Sequence, residues 1–382
     1  MNLQDANSAF LWGARQTGKS TYLASVFPKS IRYDLLQTDL YLRLLKEPYL
    51  LREEIISLSK EKLRYPIIID EVQKVPLLLN EVHWLIENSN AYFVLCGSSA
   101  RKLKHGAANL LGGRALRYTF FPLVFPEIEN FDLLRALNVG LLPKHYLSDN
   151  DTTKFLLQSY INDYLTEEVQ AEGLTRNLPA FARFLDVMAF SHGELINYSN
   201  IARDCGVDKN TVKEYFQILV DTLLGYFVLP YNKKIKRETI TSVPKFYFFD
   251  VGIVNTLSKK TLGSLRGAEA GKAFEHYILM ELVAYAGIMR KNFPIKFWRT
   301  KTGLEVDFIL GDGEVALEVK ISDMVRKSDL NGLIAFQEEH RPKKALVVSL
   351  VPRARKLLVN NNEIEIIPWK KFLQQLWRGE VI

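Results

Sequence analysis

A glycine-rich segment near the amino terminus has the residue types and spacing that bind phosphate. In the sequence GARQTGKS, Gly13 and Gly18 are followed by Lys19 and Ser20. Glycine lets a backbone fold closely around an anion, and the start of a following helix presents free N–H groups to it. Lys19 could reach the β and γ phosphates of a nucleotide, while the Ser20 hydroxyl could bind Mg²⁺. An apolar strand precedes the segment and a helical pattern follows, so a chance match is the weaker alternative. The predicted nucleotide-binding residues are Gly13, Arg15, Gln16, Thr17, Gly18, Lys19, Ser20 and Thr21.

An acidic motif further along the chain could complete this chemistry. The apolar run Pro66–Ile69 ends in Asp70 and Glu71. A strand of this kind is typical of a parallel sheet buried on both faces, which would place Asp70 beside the phosphate loop. Asp70 would bind Mg²⁺, and Glu71 would act as the general base on the water that attacks the γ phosphate. The alternative is an acidic pair that caps a helix, which the phosphate loop makes less favourable.

Two further positions have roles that the residues alone leave open. A buried strand over 91–97 precedes Ser98 and Ser99, either of which could orient the attacking water or simply cap the next helix. Arg114 follows Gly112 and Gly113, and the small residues would suit an arginine finger acting within the chain or across a subunit boundary. A plain surface arginine is the competing interpretation.

Four segments together resemble the prokaryotic AAA+ ATPases that are fused to a poorly characterised nuclease-like domain: GARQTGKST, IIIDEVQKVPLLLNEVHWLIE, LCGSSARKL and NLLGGRALRYTFFPLVFPE. The resemblance spans essentially the whole chain, with Ala14 and Cys96 where such proteins usually have Pro and Thr. It implies nucleotide and magnesium roles for Lys19, Ser20, Asp70 and Glu71, and a sensor role for Ser98. It also implies ATP rather than GTP, and an arginine-finger role for Arg114.

A hairpin pattern near the carboxyl terminus brings together another set of charged residues. Residues 298–310 alternate in the manner of a strand, turn at Gly311–Gly313, and return over Val315–Lys320. Asp307 and Glu318 would then lie on adjacent strands, and Lys320 on the same face as Glu318.

This arrangement resembles the PD-(D/E)xK nucleases. The resemblance implies Asp307 and Glu318 as ligands of Mg²⁺ or Mn²⁺, Lys320 as the group that activates water, and Glu275 as an additional acidic ligand. The alternatives are a hairpin with surface acids, or a nuclease fold retained only for binding.

Composition limits the class of protein. The 382 residues carry a net charge of +7, with 48% hydrophobic and 24% charged residues, which predicts two or three globular domains and excludes global disorder. No apolar run approaches the roughly 18 residues that span a bilayer. The only two cysteines, Cys96 and Cys205, exclude a disulfide framework. We expect a cytoplasmic protein without a membrane partner.

The middle of the chain has a different character from its ends. Helical periodicity over residues 151–190 predicts a lid, and residues 197–216 have a helix-turn-helix pattern with Asp208 as a cap. Together with the apolar segment that follows, this pattern indicates a winged helix, as the resemblance also implies. The would-be recognition helix carries Lys209, Asn210, Thr211 and Lys213. Residues 151–232 carry a net charge of −5, so we favour a structural or assembly role over DNA reading.

The predicted fold is α/β, with three parts. Residues 1–150 would form an AAA+ core around a parallel sheet, residues 151–232 the lid and winged helix, and residues 233–382 an α/β nuclease-like domain. The last part carries a net charge of +9, and its basic run at 233–237 is either a solvated linker or a phosphate contact.

Two functions follow. In the first, ATP hydrolysis places the C-terminal domain on nucleic acid, DNA more than RNA, with metal-dependent cleavage. In the second, the chain is a nucleotide-dependent switch or scaffold that cleaves nothing. Homo-oligomerisation is compatible with either.

Overall fold

A computed structural model describes residues 7–98, 111–165, 177–233, 242–360 and 362–382, although not the side chains of residues 163–165. The chain divides into two compact units. The N-terminal unit comprises Met1–Pro122 with Asp221–Leu224, and the C-terminal unit comprises Leu123–Val220 with Gly225–Ile382.

The N-terminal unit contains a five-stranded parallel sheet in the order β2-β3-β4-β1-β5. Its core is formed by apolar strand residues and by the inward faces of the helices, including Phe10, Ile69 and Leu85. This confirms the predicted parallel-sheet core. The strands are β1 (Ser8–Trp12), β2 (Arg32–Asp34), β3 (Ile67–Asp70), β4 (Phe93–Gly97) and β5 (Ala115–Thr119), and the helices are α1 (Lys19–Val26), α2 (Thr38–Lys46), α3 (Tyr49–Ile56) and α4 (Leu78–Asn88).

The C-terminal unit begins with helices. They are α5 (Leu133–Val139), α6 (Pro143–Leu147), α7 (Asn150–Ser159), α8 (Leu178–Phe190), α9 (Tyr198–Cys205) and α10 (Lys209–Asp221), and a π-helical segment over Tyr160–Leu165 continues α7. Helices α9 and α10 are joined through Gly206, whose φ of 69° suits a residue without a side chain. Asp208 accepts hydrogen bonds from the backbone N–H groups of Asn210 and Thr211, as its predicted capping role requires.

An eight-stranded mixed sheet forms the rest of this unit, in the order β12-β13-β11-β10-β9-β8-β6-β7. Its strands are β6 (Gly225–Pro230), β7 (Lys245–Phe248), β8 (Ile295–Arg299), β9 (Glu305–Leu310), β10 (Val315–Lys320), β11 (Lys344–Ser349), β12 (Arg355–Val359) and β13 (Asn362–Pro368). The helices that follow β6 and β7 are α11 (Val251–Leu257), α12 (Ala268–Ile288), α13 (Asn331–His340) and α14 (Trp369–Trp377). The fold is therefore mixed α/β with a second sheet.

Both predicted domain boundaries differ from the division that the structure shows. The first compact unit ends at Pro122 rather than near residue 150, because Leu133, Leu137 and Tyr146 pack in one core with Phe274 of α12. The boundary at 232/233 falls between β6 and β7, which pair with each other in antiparallel register. Since β6 also pairs with β8, the strands after the helix-turn-helix belong to the C-terminal sheet. No local sequence pattern indicates that residues 133–146 pack on α12 or that β6 pairs with β7 and β8.

Candidate functional site

The segment between β1 and α1 forms a tight loop. Gln16 and Gly18 have positive φ values of 60° and 98°, and Thr17 donates its hydroxyl proton to the Ala14 carbonyl at 2.8 Å. A Cβ atom at Gly13 would lie 2.6 Å from the Phe120 carbonyl oxygen, so this position admits only glycine without a backbone shift. The loop therefore has the close backbone approach that phosphate binding needs.

Lys19 lies inside this loop. Its side chain is buried, and Nζ donates hydrogen bonds to the carbonyl oxygens of Gly13 and Ala14 at 2.6 and 2.9 Å. Both carbonyl oxygens are neutral acceptors, which phosphate oxygens could replace. Arg15 is partly buried, whereas Gln16, Ser20 and Thr21 are exposed.

Ser20 and Asp70 meet, although they are 50 residues apart. The Ser20 hydroxyl donates to Asp70 Oδ2 at 2.8 Å, and Asp70 Oδ1 accepts from the Glu71 backbone N–H at 3.1 Å. A hydroxyl and a carboxylate are both oxygen ligands of the kind that Mg²⁺ prefers, and such sites leave room for phosphate oxygens and water. These residues fit a magnesium ion that accompanies a nucleotide.

Glu71 is held by neutral donors. Its Oε2 accepts from Gln73 Nε2 at 2.5 Å and from the Ser98 hydroxyl at 3.4 Å, and Gln73 Nε2 also donates to the Ser98 oxygen at 3.1 Å. The backbone of Glu71 has a φ of 56°, a left-handed conformation that costs about 1–2 kcal/mol in a residue with a side chain. Strain of this kind is concentrated at functional sites.

Gln73 is a site residue that was not predicted from the sequence. It is buried and lies against Gly97 at the end of β4, where a Cβ atom would collide with the Gln73 amide. The DEVQ segment itself contained the signal, since a glutamine two residues after an acidic pair can reach back to it. Ser99, the alternative to Ser98, lies outside the described residues.

Arg114 engages a residue of its own unit. Its Nε donates to Glu87 Oε1 of α4, and both side chains are nearly half exposed. The preceding Gly112 and Gly113 have φ values of 50° and 88°. The arginine-finger role stays a prediction.

The charged residues predicted near the carboxyl terminus line a pocket in the C-terminal unit with a volume of about 270 Å³. The strands β9 and β10 form the predicted hairpin, with Leu310 opposite Val315, and this register brings Asp307 and Glu318 together. The carboxylate Oδ2 of Asp307 accepts from the Val319 backbone N–H at 2.8 Å. The residues that line the pocket are His192, Gly193, Glu194, Lys245, Tyr247, Lys272, Glu275, Glu305, Asp307, Glu318 and Lys320.

The acids of this pocket repel one another. Burial raises the pKa of Glu318 to about 7, despite a 2.6 Å ion pair with Lys320 that opposes the shift. Burial and the nearby Glu318 and Glu275 carboxylates raise the pKa of Asp307 well above its ordinary value. Glu318 Oε2 is buried without a hydrogen-bond partner. An excess of buried negative charge with a free oxygen is the chemistry that accepts a cation.

Glu275 lies in the pocket but contacts pocket residues other than Asp307 and Glu318. Its Oε1 accepts from the Tyr247 hydroxyl at 2.5 Å and lies 3.8 Å from Lys245 Nζ. Within the described parts of the chain, no three His, Cys, Asp or Glu side chains are grouped so that they could hold a metal ion. The structure therefore does not group Glu275 with Asp307 and Glu318 as the predicted ligand set, because Tyr247 and Lys245 hold it.

The helix-turn-helix presents Lys209, Asn210 and Lys213 to solvent, with Lys213 Nζ 5.9 Å from the centre of the Tyr198 ring. Of the basic run at 233–237, only Lys233 lies within the described residues. None of the helices in the described ranges is long and apolar enough to cross a bilayer.

The phosphate loop, the serine–aspartate pair and the adjoining glutamate on a parallel sheet define the class of P-loop nucleoside triphosphatases. Comparison with family models narrows this class. A model described as an AAA domain matches residues 5–129, so the amino-terminal part of the chain is similar to AAA domains. Two domains of unknown function match the remainder, DUF8612 over residues 130–263 and DUF4143 over residues 270–372.

Three curated relatives that match the chain are described as uncharacterized proteins. Uncharacterized proteins of Mycobacterium bovis and Mycobacterium tuberculosis are each 26% identical over 246 residues, which cover 63% of this chain. The chain spans about half the length of these relatives, 55% in each case. An uncharacterized protein of Methanocaldococcus jannaschii is 22% identical over 422 residues, covering 95% of this chain and 84% of its own.

Among solved structures, a signal transduction ATPase with numerous domains and a tetratricopeptide repeat sensor, from Pyrococcus horikoshii, is 13% identical. The match covers 75% of this chain and 46% of that protein, with a TM-score of 0.24. This score is too low for the likeness to support an argument about the fold.

Proposed function

We propose that the chain is a Mg²⁺-dependent ATPase that couples its nucleotide state to nucleic-acid binding by the C-terminal unit, DNA more than RNA. The observation that carries the ATPase chemistry is the contact between Ser20 and Asp70 beside Glu71. The coupling and the polyanion partner rest on the net charge of +9 over residues 233–382.

In this proposal the residues of the phosphate loop divide the work on ATP. Lys19 would release the Gly13 and Ala14 carbonyls and bind phosphate oxygens, while Ser20 and Asp70 would hold Mg²⁺, which neutralises charge on the phosphates. Glu71 would accept a proton from the attacking water. The water oxygen then bonds to the γ phosphorus, the bond from that phosphorus to the bridging oxygen breaks, and ADP leaves with the electron pair.

We further propose that the C-terminal pocket cleaves phosphodiesters. Asp307 and Glu318 would hold one divalent cation, Mg²⁺ or Mn²⁺, which supplies Lewis acidity and a more acidic bound water. Lys320 would orient the water that attacks phosphorus. The new P–O bond replaces the bond to the leaving sugar oxygen, which takes up a proton. The support is that Glu275, Asp307, Glu318 and Lys320 all line one pocket.

One observation favours the second candidate, a switch or scaffold that binds without cutting. The lysines at positions 245 and 320 already pair with carboxylates of the pocket. A nuclease-like site whose carboxylates are partly paired with its own lysines could persist as a binding surface alone.

The two activities can be separated in one experiment on the full chain. The parent, Lys19→Ala, Asp307→Asn and Lys320→Met are assayed for ATP hydrolysis and for cleavage of single-stranded, duplex and branched substrates, with Mg²⁺ or Mn²⁺, with and without ATP. We expect Lys19→Ala to abolish hydrolysis. Asp307→Asn and Lys320→Met should abolish cleavage but keep nucleic-acid binding.

Matched controls lie nearby. Lys60 is an exposed lysine of the N-terminal unit, and Asp312 is an exposed aspartate in the same hairpin as Asp307, so Lys60→Ala and Asp312→Asn should change neither activity. Hydrolysis at the parental rate in Lys19→Ala would refute the ATPase site. Binding without cleavage by the parent across all substrates would favour the switch or scaffold.

A further inference from the structure

Lys245 is a charged residue of the C-terminal pocket that the PD-(D/E)xK resemblance does not assign. It begins strand β7, and its side chain is 5% exposed. Its Nζ lies 2.5 Å from Glu305 Oε1 and 3.8 Å from Glu275 Oε1, and 5.4 Å from the centre of the Phe297 ring. One buried ammonium group therefore bridges two carboxylates from different elements.

The electrostatics keep this ammonium charged. Burial alone would lower the pKa of Lys245, but the Glu275, Glu305 and Asp307 carboxylates raise it above its ordinary value. A buried charge is retained only when it is well paired, and removal of one partner leaves the other uncompensated. Lys245 is thus a resident cation rather than a titrating group.

Tyr247 supports the same arrangement from the same strand. Residues two apart on a strand point to one face, and the Tyr247 hydroxyl donates to the Glu275 oxygen that also faces Lys245. Glu305 has a second partner, Arg299, at 3.0 Å. Glu275 and Glu305 are both committed to protein donors.

The remaining two carboxylates, Asp307 and Glu318, have fewer protein donors. Lys320 Nζ forms an ion pair with Glu318 Oε1 at 2.6 Å, and Glu318 Oε2 has no hydrogen-bond partner. Two carboxylates with one free buried oxygen could accept one divalent ion, whereas a second ion would need the oxygens that Lys245 covers.

We propose that Lys245 occupies the place of a second metal ion and thereby limits the pocket to a single divalent cation, held by Asp307 and Glu318. This inference rests on the metal site in the proposed function, but not on cleavage itself. Lys245 is therefore a positioning residue. Its ammonium group pairs with Glu275 and Glu305, which a second cation would otherwise bind.

The test counts bound Mn²⁺ in the full chain by electron paramagnetic resonance at pH 8, without nucleotide. All proteins carry Asp70→Asn, which removes the N-terminal metal ligand. We expect one Mn²⁺ in this background and none after Asp307→Asn. Lys245→Met should raise the count to two, and adding Glu275→Gln should return it to one. Lys245→Gln is a second neutral variant, with the same expected count as Lys245→Met.

Two controls make the result specific. Lys245→Arg keeps the charge and should keep one ion. Lys272→Met removes another lysine of the pocket, which is about half exposed and paired with Glu194, and should also keep one ion.

The outcomes separate the two proposals. If Asp307→Asn does not change the Mn²⁺ count, the metal centre is wrong and the cleavage proposal fails with it. If Asp307→Asn removes the ion but neither Lys245→Met nor Lys245→Gln adds one, only the role of Lys245 is refuted. A parent that already binds two ions also refutes that role.

Discussion

The two charged sites of this chain use lysine in opposite ways. In the phosphate loop, Lys19 donates to backbone carbonyls, and the nearby Glu71 is held by the neutral donors Gln73 and Ser98. In the C-terminal pocket, Lys245 and Lys320 donate directly to carboxylates. The two carbonyl contacts of Lys19 are neutral, whereas the contacts of Lys245 and Lys320 are ion pairs that offset part of the negative charge of the pocket.

This difference indicates what each site can accept. A lysine that donates to backbone carbonyls can exchange these neutral acceptors for an anion at little electrostatic cost, which suits a site that binds and releases nucleotide in turn. A lysine paired with a buried carboxylate is costly to remove, because the carboxylate would be left uncompensated. The second site is therefore suited to a cation that adds to the existing pairs rather than replacing them.

The largest expected effect is at Glu71, in the site of the N-terminal unit. Glu71→Gln should lower the kcat for ATP hydrolysis by about 10²–10⁴, because it removes the general base and leaves the phosphate contacts in place. ATP affinity, measured by equilibrium binding, should stay within about twofold. Glu61→Gln, at an exposed glutamate of the same unit, is the control. Parental turnover in Glu71→Gln would contradict the assignment.

A buried carboxylate without any lysine extends the comparison. Glu281 accepts from the Phe125 backbone N–H and the Trp377 indole N–H, both at 2.8 Å, and burial raises its pKa to about 7 from 4.5. Because the folded state binds this proton more tightly, its contribution to stability is present below pH 4.5 and is lost as the pH rises through 7. The loss is about 3 kcal/mol over that window.

Glu281→Gln should flatten this pH dependence. Urea unfolding of the C-terminal unit between pH 4.5 and 8 measures it, with Glu314→Gln at an exposed ion pair as the control. An unchanged slope in Glu281→Gln would show that Glu281 is ionised in the folded protein at all these pH values.

Exchanging the type of partner tests the comparison directly. Gln73→Lys would give Glu71 an ammonium partner of the kind that Glu318 has. An adjacent cation lowers the pKa of a carboxylate and makes it a weaker base, so kcat should fall by about tenfold to a hundredfold. Gln73→Ala removes the donor without adding charge and should lower kcat by less. Equal kcat values for the two variants would mean that only the lost hydrogen bond matters.

The smallest expected effect is at Arg114. Arg114→Ala should slow turnover a few-fold with little change in ATP affinity, if a second copy of the chain brings this residue to the γ phosphate. Glu87→Gln, which frees Arg114 from its observed partner, should leave turnover the same or raise it. Turnover that is insensitive to Arg114→Ala at every protein concentration would make Arg114 a surface residue.

Local patterns predicted much of the fold and of both sites. The β9–β10 hairpin and the Asp208 cap depend on neighbours within a few residues, where turn chemistry and alternation act. The parallel sheet pairs strands that are far apart in the chain, but the continuous apolar run of each buried strand indicated it. The domain boundaries were less predictable. The packing of Tyr146 near Phe274 depends on contacts between distant segments, and apolar periodicity does not specify a partner.

The sequence by itself determined the chemistry of the phosphate loop, because glycines, Lys19 and Ser20 are contiguous and a backbone of eight residues can form the cradle alone. It also determined the Asp307–Glu318 pair, since a tight turn fixes the register of a hairpin. Only the tertiary structure decided which side chains modify these groups. Gln73 and Ser98 meet Glu71 through the order of the parallel strands, and Lys245 reaches Glu275 because β7 joins the C-terminal sheet. Charge compensation at a buried site depends on distances of a few ångströms, and those distances are set by long-range packing.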